Sequence, residues 1–230
     1  MPTPHYVQGI APPSYTYATS TSQTYPNDVT KGNLLICVAQ YFYPGTGDPA
    51  YTVTDTQGNT WVALTNSGIA ASESCQIFYC LSANASGPNT VTMTWDGTHG
   101  YYIQQAILEY GDSFGTFGFS LDKSANNTSG VGTTVIDALT GLVGAGELII
   151  EAMAGSSTTS IALTDGATNR LVDNTNFVIG ENFSTGTSYT ASMSWGGAYY
   201  GAVAAAAFIA TGGALPGIPG ALCMMGCGAS

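Results

Sequence analysis

The chain of 230 residues carries three Lys and Arg against 14 Asp and Glu, a net charge of −11, and only 7% charged residues. Soluble domains ordinarily carry about 25%. With no basic footprint, binding to nucleic acid through its phosphates is excluded, and so is a basic membrane-surface patch. The 44% hydrophobic and 11% aromatic content argues against disorder, while 30 Gly and 14 Tyr favour turns and pleated strands over helices.

Residues 1–14 (MPTPHYVQGIAPPS) contain four prolines and read as an extended N-terminal arm. They lack the basic start and long apolar core of a secretory leader. Then comes KGNLLICVA (31–39), whose continuous apolar run suits a central strand covered on both faces. TQGNT (56–60) offers Gly58-Asn59 for a turn with positive φ. In SCQIFYCLS (74–82), Ile77, Tyr79 and Leu81 form one inward row, and Cys75 and Cys80 fall on opposite faces. In NTVTMTW (89–95), Val91, Met93 and Trp95 alternate with threonines, the period of a half-buried strand. YYIQQAILEY (101–110) closes this first unit, and GDSFGTFG (111–118) reads as the boundary.

The pattern then repeats. AGELIIEAMA (145–154) answers KGNLLICVA, TDGATNRLV (164–172) answers TDTQGNTWV (54–62), and SYTASMSW (188–195) answers NTVTMTW. The two Met-x-Trp pairs lie 100 residues apart, and Gly196-Gly197 reads as a strand end like Asp96-Gly97. The apolar run at 202–210 has the length of a strand, not of a membrane span. These elements predict an all-β chain of two tandem antiparallel β-sandwiches, immunoglobulin-like or jelly-roll in type, over residues 15–114 and 115–211. Each is expected to have its own core. Residues 212–230 form a Gly/Pro-rich tail in which Leu215, Ile218, Leu222, Met224 and Met225 are too apolar for a linker. The tail is either flexible and packed on its own domain or an arm that docks on another subunit.

Candidate chemistry is sparse. The five cysteines read as three core thiols (Cys37, Cys75, Cys80) and two tail thiols (Cys223, Cys227), with no disulfide framework and no complete zinc site. His5 and His99 sit in an arm and a turn. Glu109 with Asp112, and Glu147 with Glu151, are the carboxylate pairs close in sequence that a hydrolase would need, but they read better as structural acids. Asp48, Asp55, Asp96, Asp112 and Asp165 suit turn caps better than a calcium loop, since no Asp-x-Asp-x-Asp spacing is present. No catalytic residue, cofactor or metal is therefore assigned. Trp61 is the candidate for stacking on a surface glycan, while Trp95 and Trp195 share faces with methionines and read as core.

The order GNLL, VTDTQGNTW, PNTVTMTW, EYGD and SLDKSA resembles a β-sandwich repeat of bacteriophage virion proteins and bacterial surface proteins, with the second copy degenerate. The resemblance implies a structural or adhesive module and carries over no catalytic residue. Together with the missing leader and the apolar tail, it gives the expectation of a non-enzymatic virion protein. That protein is a capsid decoration (cement) or tail component, made in the host cytoplasm. Its expected partners are copies of itself and a major capsid or tail protein, met through Leu215, Ile218, Leu222, Met224 and Met225. The alternatives are an exported surface or filament subunit and a carbohydrate-binding adhesive module.

Overall fold

The computed structural model describes residues 3–11, 15–42, 50–66, 73–95, 101–113, 118–155, 161–173 and 177–211. They form fifteen strands and no helix: β1 (Pro4–Ile10), β2 (Thr16–Ala18), β3 (Ser20–Thr24), β4 (Leu34–Phe42), β5 (Tyr51–Asp55), β6 (Val62–Ala63), β7 (Glu73–Cys80), β8 (Thr90–Trp95), β9 (Tyr101–Asp112), β10 (Phe119–Thr140), β11 (Leu148–Gly155), β12 (Ile161–Leu163), β13 (Thr168–Asp173), β14 (Phe177–Phe183) and β15 (Ser188–Ala210). The all-β, antiparallel expectation holds.

The sequence repeat is a repeat of topology. In the first copy, β1-β9-β4-β7-β6 form one sheet, with β2 also on β9, and β3-β8-β5 form a second. In the second copy, β10-β15-β11-β14-β13 follow the same order, with β12 on β15. Here β10 does the work of β1 to β3, and β15 does the work of β8 and β9. Residues 188–194 of β15 pair with 134–140 of β10, and residues 201–210 pair with 119–129. Ala191, Met193 and Trp195 pack with Val203, Ala205 and Ala207, so β15 doubles over into both layers of its sandwich. Gly196-Gly197 thus lies within a strand rather than at its end. Gly has no Cβ to hinder that change of direction. The duplication extends to irregularities: the ladder slips at Val7 in β1 and at Asp122 in β10. Gly32 and Gly146, with φ of 90° and 91°, make the same turn before β4 and β11.

Residues 4–10, within the expected extended arm, form an edge strand paired with β9 of the same chain. Pro4 is tolerated because it opens that strand.

Three cores result. Leu35, Cys37, Phe78, Val91, Met93 and Ile107 fill the first sandwich. Ile149, Met153, Val178, Met193, Trp195 and Val203 fill the second. The third and largest lies between the copies, where Leu34, Ile36, Ile77, Leu108 and Tyr110 meet Leu148, Ile150, Ile179, Ala206 and Phe208. Separate cores therefore exist, but the broad sheets of the two sandwiches also pack face to face in a four-layer stack. This explains the continuous apolar runs: β4 and β11 are central strands with both faces covered, and Leu34 to Val38 and Leu148 to Ile150 are fully buried. Tyr79 meets Phe208 edge to face across the seam, with ring centroids 5.5 Å apart.

Candidate functional site

Trp61, the candidate glycan platform, is half-buried and packs against the first core. Its indole Nε1 donates to Asp55 Oδ2 at 3.1 Å. Asp55 also accepts from the backbone N of Gln57 and Asn59 and from the side chains of Asn59 and Asn89. Burial raises the Asp55 pKa, but the Asn59, Asn89 and Trp61 donors outweigh it and hold the carboxyl below its usual range. Asp165 repeats the role, accepting from Ala167 N and from Ser192 N at 2.7 Å. Both are turn caps, as expected from their place after a strand. Asp48, Asp96 and His99 lie outside the described residues, as do Cys223, Cys227 and the tail residues Leu215, Ile218, Leu222, Met224 and Met225.

Glu147 and Glu151, close in sequence, have different surroundings. Glu109 is buried and accepts from Thr30 N, Asn33 Nδ2 and Gln8 Nε2, so it ties β1 and the loop before β4 to β9. Glu151, whose face the sequence leaves open, points into the second sandwich and is fully buried. Tyr189 Oη donates to its Oε2 at 3.4 Å. Burial, then the neighbouring Asp165, pushes the Glu151 pKa up to about 9. It is an interior acid that holds its proton at neutral pH, not an edge carboxylate. Glu147 lies just before β11 and is 4% exposed. It lines a cleft of about 250 Å³ with Thr3, Val143, Gly144, Ala145, Gly146, Ile209 and Ala210.

Arg170, the chain's only arginine, sits at the junction of the copies. Its Nε and Nη2 donate to Glu181 at 2.9 and 2.6 Å. Its guanidinium also lies 4.7 Å from the centre of the Tyr6 ring, which belongs to β1 of the first copy. Tyr6 in turn meets Tyr110 edge to face at 5.8 Å. Sequence reasoning passed over this latch because Tyr6 and Arg170 are 164 positions apart and no local pattern joins them.

Cys37, Cys75 and Cys80 are buried thiols outside any disulfide. Cys75 and Cys80 face different cores, as strand alternation requires. Burial drives the Cys37 thiol up to about 12, so it is inert as a nucleophile at neutral pH.

Among the described residues, one aromatic pair is presented to solvent. Tyr17 of β2 and Tyr102 of β9 are paired across their strands, 63% and 46% exposed, with ring centroids 5.3 Å apart. They lie at the end of the inner sheet, past the seam core, where Gln40 Nε2 donates to Tyr15 Oη. Two exposed rings beside amide groups can stack on the apolar face of a sugar and hydrogen-bond its hydroxyls. No family model matches the chain, and no curated protein matches it significantly.

Proposed function

We propose that the chain is a non-enzymatic structural protein of a virion, a capsid decoration or tail component that stabilises an assembly through subunit contacts. The observation that carries this reading is the shared core between the copies. It makes one stiff body from two sandwiches, the mechanical property a cementing protein needs. In support, the buried Glu109 and the half-buried Asp55 pin loops to strands, and the sole arginine is committed to the seam. The proposed partners are other copies and a major capsid or tail protein, with Leu215, Ile218, Leu222, Met224 and Met225 as the contacts. Quantitative mass spectrometry of density-purified particles tests this. The protein is expected at a stoichiometry matching a capsid or tail lattice, and deleting residues 215–230 is expected to weaken particle binding while leaving the strand spectrum unchanged. Recovery from cell envelopes alone would overturn the reading in favour of an exported surface or filament subunit.

A second reading, a carbohydrate-binding adhesive module, is favoured by the exposed Tyr17 and Tyr102 rings. It moves the glycan contact from Trp61 to these tyrosines. Glycan-array binding lost on changing both tyrosines to Ala would establish it.

A further inference from the structure

We propose that the Tyr17–Tyr102 pair binds uncharged rather than acidic sugar residues, at the end of the molecule opposite to that where β1 begins and β15 finishes. The inference rests on the carbohydrate-binding reading and names its class of ligand. Strand register defines the two ends. At the first end Pro4 pairs with Asp112 and Phe119 with Ala210, and Thr3 and Ala210 line one cleft. From there β4 runs from Leu34, opposite Tyr110, to Phe42, opposite Tyr102. Nine strand residues at about 3.4 Å each place Tyr102, and Tyr17 paired with it, about 27 Å away. The second copy runs the same way. Cys75, toward the far end of β7, donates to Ala152 O in β11 at 3.4 Å, while Tyr79 meets Phe208 nearer the first end.

The three Lys and Arg of the whole sequence all belong to the first end. Lys31 stands just before β4, Lys123 pairs with Ala207 close to the finish of β15, and Arg170 lies against Tyr6, the partner of Tyr110. Along the strands they stand two to three Debye lengths of about 8 Å from the far end, so salt screens them there. The acids Glu73, opposite Phe42, and Asp173, opposite Phe177, occupy far-end positions instead. A carboxylated or sulfated sugar must have its charge met by a cation when water is removed, and the tyrosines have none to offer. An uncharged pyranose needs only a ring to stack on and hydroxyls that donate and accept, and the exposed tyrosine pair supplies both.

An array of immobilised oligosaccharides, probed with the intact chain at about 0.15 M salt, tests this by setting uncharged hexose and N-acetylhexosamine chains beside sialylated, sulfated and uronic-acid chains. Uncharged chains are expected to bind, and acidic ones at least about tenfold more weakly. Changing Tyr17 and Tyr102 together to Ala should weaken the uncharged signal at least about tenfold, whereas changing both to Phe, which keeps the rings, should retain most of it. If the double Ala variant fails to fold, Tyr17→Ala alone, at the more exposed ring, should still reduce binding. Equal binding of acidic and uncharged chains, lost in the Ala variants, would overturn the charge rule and leave the carbohydrate reading standing. Binding undiminished in the Ala variants would overturn the site, and no binding to any chain would remove the reading and the inference together.

Discussion

Glu151 shows how one side chain sets a property of the whole chain. Its folded pKa of about 9 stands above the ordinary 4.5. Between those values the folded state holds a proton that the unfolded chain has released. Stability is then full below about 4.5 and falls as pH rises toward 9, by at most about 1.4 kcal/mol per pH unit. Glu151→Gln keeps a donor for Asp165 and removes the titration. Its melting temperature should vary less between pH 5 and pH 9 than that of the parent, read by circular dichroism. Parallel decline in parent and variant would mean that another group carries the effect. The acid was visible in LIIEAMA, but its direction was not. A run with both faces buried has no polar side against which to set the alternation, and only the partners Tyr189 and Asp165, distant in sequence, decide it.

Strands with one wet face were the most legible elements. The threonines of 90–94 alternate with Val91 and Met93, and the hydroxyls of Thr92 and Thr90 pair with those of Ser22 and Thr24 at 2.8 Å on the outer face. Continuity was less legible. Gly196-Gly197 reads as a strand end, yet β15 runs through it from one layer into the next, as β10 runs through Gly130 and Gly132. Glycine marks a sharp change of direction, and whether the ladder breaks there depends on the partner strand. Gly201 meets a different demand, that of close packing. A Cβ at Gly201 would overlap the Trp195 ring, which lies directly on this backbone. Gly201→Ala should therefore cost about 1–3 kcal/mol by overpacking. Gly186→Ala, where a Cβ would meet nothing within 4 Å, should stay within about 0.5 kcal/mol of the parent. Urea titrations followed by Trp195 fluorescence compare the two, and equal stability would refute the contact.

At the scale of the molecule, the decisive feature is the seam. The repeat announces two sandwiches, but each copy also places a broad apolar face on the other, and the sequence does not say whether such a face meets a partner chain or its own twin. Here it meets the twin: Ile36, Ile77 and Leu108 against Ile150, Ile179 and Phe208, with Tyr6 and Arg170 closing the junction. Neither half can leave without exposing that face to water, so the two should unfold together. Trp61 and Trp95 report on the first copy and Trp195 on the second. Phe208→Ala lies in the second copy, yet it removes the ring that meets Tyr79 of the first. The expected loss is about 3–5 kcal/mol. It should appear as one calorimetric transition, moved as a whole, with calorimetric and van't Hoff enthalpies still equal. Single-tryptophan versions, retaining Trp95 or Trp195, should shift by the same amount. If only the Trp195 signal moves, or if the parent itself melts in two steps, the sandwiches are independent bodies and the seam is a loose contact rather than a core.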